Sequence, residues 1–317
     1  MSNIIIFPGQ GYFDLELLNR DYLKNFCYEY GIDDIFEAVN KNNENISNTK
    51  YAQVLIVALE VAQYLEYSKI HNIDNNISIG YSLGEISSLI AANVLDIREG
   101  IEFVKERAKL SDEFYRNDLC KEKYYIGRVP YEDKIEKELL KKGFKIINFV
   151  PDFTKTNTSS IIIGKNKEDI FNFMKYKRKD EPLENLRMSE LVCPFHTDIM
   201  LKLKEKQKNI FKDKIKVFNS KNLEKIFCTR TATMYSNDMS KEDINDSLAE
   251  YLVTPIQTRR TMEYFEKTGY KEKDIIVIMG KNFINDHLQE QCNIIGLNGN
   301  IIDADNLIIG GKRWKLF

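Results

Sequence analysis

Ser82 stands between two glycines in Gly80-Tyr81-Ser82-Leu83-Gly84, with Ile77-Ser78-Ile79 before it and a helical stretch through Ala92 after it. A serine hydroxyl becomes a useful nucleophile only when a base takes its proton and the backbone exposes it. Strand, tight turn and helix are the setting that exposes it. Glycines flank such a serine because the strained, crowded backbone leaves no room for side chains. The chemistry this permits is acyl transfer through a serine ester. The motif alone also fits a serine in an ordinary turn above an α/β sheet; the strand before it and the helix after it favour the nucleophile.

The base must be a histidine, and the chain has three. His71 lies in a polar stretch and reads as a surface residue. His287, in Asn285-Asp286-His287, would close a hydrolase-type Ser-Asp-His order. His196 ends the apolar, proline-braced segment Val192-Cys193-Pro194-Phe195-His196, which suits a core histidine as well as a base. Spacing does not choose between His196 and His287, because triads assemble from distant segments in several orders.

The elements that must position these groups follow from periodicity. Ile4 to Phe7, closed by Pro8-Gly9-Gln10-Gly11, reads as a buried strand that delivers a loop to the edge of a sheet. Val54, Val57, Ala58, Val61, Ala62 and Leu65 recur at helical spacing and predict a core helix over Tyr51–Tyr67. A further helix over Ile97–Tyr115 carries Ile101, Val104, Ala108 and Leu110 on one side, with Arg107 near them. From Tyr124 to Glu190 the texture changes. Strands over 124–129, 145–150 and 160–163 alternate with helices over 131–142 and 167–175, which predicts a small inserted α+β unit. Helices over 241–251 and 259–267 and a short strand over 275–279 belong to the larger domain, and 310–317 reads as a tail.

Composition limits the function. The 317 residues exceed the usual single-domain size, and a formal charge of −2 argues against a general grip on nucleic acid. The run Lys175 to Lys179 reads as a solvated loop or helix end, with a carrier-protein contact as the alternative. Cys27, Cys120, Cys193, Cys228 and Cys292 show no CxxC pair and no metal-ligand spacing, so we expect reduced, buried thiols in a cytoplasmic protein. There is neither a basic leader before the first strand nor an apolar run long enough to span a bilayer; no membrane association is expected.

Five motifs in order carry a resemblance: Phe7-Pro8-Gly9-Gln10-Gly11, Gly80-Tyr81-Ser82-Leu83-Gly84-Glu85, Arg107, Pro194-Phe195-His196 and Pro255-Ile256-Gln257. Together, over about residues 4 to 268, the chain resembles the malonyl-CoA:acyl carrier protein transacylases, acyltransferases of fatty-acid and polyketide synthesis. The resemblance implies an α/β fold: a hydrolase-like parallel-sheet large domain (1–123 and 191–309) with an inserted small ferredoxin-like α+β subdomain (124–190). It implies that Ser82 carries the acyl group and that His196 is base, then acid. Backbone N–H groups of Gln10 and Leu83 would form the oxyanion hole, and a main-chain carbonyl near Gln257 would orient the imidazole. Arg107 would bind the free carboxylate of malonyl through paired charge-assisted hydrogen bonds. Phe195 would fill the space of an α-methyl branch. Malonyl-CoA enters as substrate, the acyl carrier protein as partner, with no metal or redox cofactor, and we expect a monomer.

The chain departs from the family pattern at three places. Tyr81 precedes the nucleophile where the family usually has histidine, Ile278-Met279-Gly280-Lys281-Asn282 replaces a Gly-Pro-Gly loop, and Asn157-Thr158-Ser159 only loosely matches an Asn-Ser-Pro segment. These point to a divergent, free-standing acyltransferase, suited to a polyketide synthase that lacks its own loading domain. Three rival readings exist: an acyl hydrolase of the same fold, a lipase-like esterase using His287, and an inactive carrier-protein docking module. Arg107 argues against the first, the Gln10 loop and the His196 segment against the second, and Ser82 with His196 against the third.

Overall fold

The computed structural model describes residues 3–10, 13–119, 122–131, 135–151, 158–179, 182–183, 186, 188–191, 193–268, 275–280 and 300–310. The strands are β1 (Ile4–Phe7), β2 (Ile77–Gly80), β3 (Tyr124–Pro130), β4 (Lys145–Pro151), β5 (Thr158–Gly164), β6 (Ser189–Leu191), β7 (Ile226–Cys228), β8 (Thr233–Met234), β9 (Ile275–Ile278) and β10 (Asn300–Asp303). The first α-helices are α1 (Asp21–Glu29), α2 (Asp33–Lys41), α3 (Thr49–Ile70), α4 (Gly84–Ala91), α5 (Ile97–Phe114) and α6 (Ile135–Lys141). They are followed by α7 (Lys167–Lys177), α8 (Leu201–Lys214), α9 (Lys241–Glu250), α10 (Thr258–Lys267) and α11 (Ala304–Gly310).

β1 is apolar at every position because it is covered on both faces, as interior parallel strands are. It pairs in parallel with β2 and β9, Ile4 standing opposite Ile77 and Ile276, in a six-stranded sheet of order β10-β9-β1-β2-β7-β8. Only the β7–β8 pair is antiparallel. Alternate residues face opposite layers. Ile4 and Ile6 pack with Met262 and Phe265 of α10, whereas Ile5 and Phe7 pack with Tyr64 and Tyr67 of α3.

α3 begins at Thr49, after the Asn48 side chain that accepts from the Lys50 N–H, two residues before the predicted start at Tyr51. It is buried nearly all round, so apolar residues occupy most of its circumference rather than one stripe. α5, capped by Asp96, packs on α3 and α8 and carries Arg107 inward.

Residues 124–191 build a second sheet in the order β4-β5-β3-β6, with every pair antiparallel and the succession β-α-β-β-α-β. Ile135 and Leu139 of α6 and Ile170, Phe173 and Met174 of α7 cover it together with Val129 and Ile162. β6 was not foreseen; three residues, Ser-Glu-Leu, show no alternation. β4 bridges to the segment before α10, where Phe149 N–H donates to the Ile256 carbonyl (2.9 Å) and Ile256 N–H to that of Ile147 (3.0 Å). No helix among the described residues is long and apolar enough to cross a membrane.

Candidate active site

The end of β2 delivers Ser82 in a left-handed backbone conformation, φ 55°, that a side-chain-bearing residue adopts only at a cost of roughly 1–2 kcal/mol. The crowding predicted around it is present. A Cβ on Gly84 would lie 2.0 Å from the Phe7 carbonyl oxygen, and one on Gly80 would lie 2.3 Å from Cα of Glu85. Gly9, at φ +74°, brings the loop after β1 against the same turn: a Cβ there would lie 2.1 Å from the Tyr81 carbonyl and 3.1 Å from the Leu83 nitrogen. The Leu83 N–H opens α4, and Gln10 follows Gly9 at an exposed position. Neither N–H donates to a backbone carbonyl among the described residues.

His196 is brought to Ser82 across 114 residues, with Nε2 2.9 Å from Oγ. Its own backbone is left-handed, φ 66°, and its N–H donates to the Leu252 carbonyl at 2.7 Å. The turn is tied by Thr197 Oγ1 donating to the Pro194 carbonyl at 2.7 Å. Burial first, and the charge of Arg107 after it, push the imidazole down to about 4, so the ring is neutral at physiological pH. Nδ1 is buried and closes no hydrogen bond of standard geometry, but the Tyr251 and Thr254 carbonyls lie near enough to favour a proton on the ring. With that proton on Nδ1, Nε2 is free to accept from Ser82.

The carbonyls beside His196 thus come from residues 251 and 254. That of Gln257, the residue singled out from the sequence, accepts instead from the N–H and Oγ1 of Thr261, both at 2.9 Å. Gln257 is the N-cap of α10, and its own N–H donates to Thr229. A carbonyl carries no side-chain signature, so the sequence offered no means to tell these positions apart.

Arg107 is 7% exposed, and among the described residues no carboxylate pairs with it. Its Nε donates to Gln207 Oε1 at 3.0 Å, its Nη1 to Gln53 Oε1, and its Cζ lies 5.5 Å from the centre of the Phe195 ring. Burial pushes its pKa down to about 10, which still leaves it charged at neutral pH. A buried cation held by two neutral amides and an aromatic face is set to receive an anion, since isolation of that charge is otherwise costly.

Sequence reasoning missed the polar residues of α3. Gln53, Glu60 and Gln63 lie buried on one side of the largely apolar middle of the helix. Gln53 meets Arg107; Glu60 accepts from Gly9 N–H and Ser87 Oγ; Gln63 Oε1 accepts from Gly280 N–H. Their i, i+7, i+10 spacing was the available signal. Glu85, fully enclosed on α4, has its carboxyl pushed well up by burial and accepts from the Tyr251 hydroxyl at 3.2 Å. That hydroxyl also meets Thr229 Oγ1 (3.1 Å), and Thr229 Oγ1 donates to the Gly80 carbonyl at 2.9 Å.

Tyr81 is buried in the core cluster with Ile79, Phe227, Ile256 and Met262. His71 caps α3 and stacks on Tyr67, with ring centres 4.4 Å apart. Cys27, Cys193 and Cys228 are buried free thiols. His287, Cys120, Cys292, Gly11, Asn157, Val192, Lys281, Asn282 and residues 311–317 lie outside the described residues. Among the described residues no group of three or more His, Cys, Asp or Glu side chains is placed to hold a metal ion.

No family model matches the chain. It is 24% identical over 309 residues to a malonyl CoA-acyl carrier protein transacylase of Bacillus subtilis, covering 90% of this chain and 72% of that one. Its fold is that of a malonyl CoA-acyl carrier protein transacylase of Coxiella burnetii, with a TM-score of 0.76, 16% identity and coverage of 98% and 96%. A malonyl-transacylase solved in complex with its type II polyketide acyl-carrier protein superposes with a TM-score of 0.74 at 18% identity, covering 98% of each chain. The class these relatives define is that of the acyltransferases. Within it, the resemblance carried by the motifs is to the malonyl CoA-acyl carrier protein transacylases, the name the curated relatives bear.

Proposed function

We propose that this chain transfers a malonyl group from coenzyme A to the phosphopantetheine thiol of an acyl carrier protein, through an ester on Ser82, in polyketide or fatty-acid synthesis. The observation that carries the reading is Arg107: a buried, charged guanidinium without a carboxylate partner among the described residues, close enough to His196 to depress it. An acyl donor with a free carboxylate supplies the missing anion, and a plain acetyl donor does not.

The steps follow from the geometry. His196 Nε2 accepts the Ser82 proton as Oγ bonds to the thioester carbon. The carbonyl oxygen becomes an oxyanion facing the N–H groups of Gln10 and Leu83; donors fixed in advance contribute about 3–4 kcal/mol each. The C–S bond then breaks and His196 returns the proton to the departing CoA sulfur. The carrier's thiol repeats the sequence in reverse, so atoms and protons balance without metal or redox cofactor. Phe195, stacked on Arg107, limits room beside the bound carboxylate and favours malonyl over branched donors by about 10–200-fold. The finer fold reading, a hydrolase-like large domain with a ferredoxin-like insert at 124–190, belongs to the same proposal and is supported by the β-α-β-β-α-β succession. So does its setting, a monomer in the cytoplasm.

Intact-protein mass after brief exposure to malonyl-CoA, acetyl-CoA or methylmalonyl-CoA tests the reading. A malonyl adduct that is absent from Ser82→Ala is the expected result. Release of free CoA without an adduct would replace transfer by hydrolysis.

A further inference from the structure

Glu60 is a fully buried acid in the middle of a core helix, among Ala58, Leu59 and Val61, where an apolar residue would be the ordinary choice. Burying a carboxyl there is costly unless its hydrogen bonds are needed. Oε1 accepts from the Gly9 N–H at 2.9 Å, and Oε2 accepts from Ser87 Oγ at 2.5 Å. Gly9 immediately precedes Gln10, and Ser87 lies one helical turn from Leu83 on α4. The carboxyl therefore bridges the two separate segments that bear the two oxyanion donors.

The geometry points to Glu60 as the positioning residue of the oxyanion hole, clamping the loop after β1 to the nucleophile helix so that the Gln10 and Leu83 N–H groups converge on one point. This rests on the acyl-transfer reading of Ser82. It goes beyond that reading by assigning a role to a group that touches neither substrate nor nucleophile. Gly9 has no Cβ and a left-handed backbone, and the Glu60 bond holds its N–H, in the peptide that joins it to Pro8, one residue before Gln10. Burial pushes the Glu60 carboxyl up to about 7, and Oε1 accepts from Gly9 whether or not Oε2 carries a proton. The neutral amide of glutamine reproduces both contacts: its oxygen accepts from Gly9 and its nitrogen donates to Ser87 Oγ.

The test is pre-steady-state acylation of Ser82 by p-nitrophenyl acetate and, separately, by malonyl-CoA, in the wild type, Glu60→Ala and Glu60→Gln. The neutral ester reads the oxyanion hole without calling on Arg107, so it stands even if the malonyl assignment fails. Glu60→Ala is expected to lower the maximal acylation rate by about 10–100-fold with either donor, the half-saturating concentration staying within about twofold. Glu60→Gln is expected to recover to within about fivefold of wild type. If Glu60→Ala does not fold, as circular dichroism will show, Ser87→Ala cuts one of the two bonds and is expected to slow acylation about 3–10-fold at unchanged half-saturation. No fall, a fall carried by half-saturation instead of rate, or a glutamine variant no better than alanine would overturn the assignment. Failure of the wild type to take up either acyl group would overturn it together with the site.

Discussion

The charge of Arg107 disfavours protonation of His196. The imidazole is held at about 4, first by burial and then by the guanidinium, so it stays neutral as the pH falls through 6.5. The rate of Ser82 acylation is therefore expected to be flat through pH 6.5 and to decline only towards pH 4, as followed by quench-flow mass measurement. Removing the positive charge makes the imidazolium easier to form. Arg107→Ala should move that acid limb upward, towards the ordinary histidine value. A limb near 6.5 in the wild type would mean that the base is not the buried ring beside Ser82. These residues were singled out by the ordered motifs that carry the family resemblance; spacing alone left His196 and His287 both open. The Tyr251 and Thr254 carbonyls were not, since any residue supplies one.

At the scale of elements, the site is a meeting of turns whose backbones nearly touch. The Cβ of Gly84→Ala would have to share space with the Phe7 carbonyl, 2.0 Å away, whereas one at Gly143 meets nothing within 4 Å. Gly84→Ala should cost about 3 kcal/mol or more, and Gly143→Ala about 1 kcal/mol from its left-handed backbone alone, measured by denaturant melts. Equal losses would show that the β1 loop does not lie against the elbow. β1, β2, α4 and α5 were readable because burial imposes a period or an unbroken apolar run on them. β7 with three residues, β8 with two and β6 with three were not; so few residues carry no period, and the neighbouring strands decide their pairing. On α3 the apolar pattern showed the helix but hid its use. Of the three buried polar residues that break the pattern, Gln53 meets Arg107 on α5, and Glu60 and Gln63 hold the Gly9 and Gly280 N–H groups.

At the scale of the whole molecule, buried titratable groups set opposing slopes of stability against pH. Glu60 is raised from 4.5 to about 7 in the fold. Its protonated form is favoured by folding, so its contribution is complete below pH 4.5 and is lost as the pH rises through 7. His196 is depressed from 6.5 to about 4, so its contribution is complete above pH 6.5 and is lost as the pH falls through 4. The Tm of Glu60→Gln relative to wild type should therefore rise between about pH 5 and pH 7.5; a constant difference would mean that Glu60 does not titrate there. The sequence changes texture near residue 124, where the second sheet begins, while β10 and α11 were not read, since their pairing with β9 and α3 is a long-range event without local signature. The central claim is that a buried guanidinium selects a donor bearing a carboxylate. It is tested most directly by the second-order rate of Ser82 acylation by malonyl-CoA and by acetyl-CoA in the wild type and Arg107→Ala. Malonyl acylation should fall by about 100-fold or more while acetyl acylation stays within about threefold or improves. Equal losses for the two donors would contradict the account.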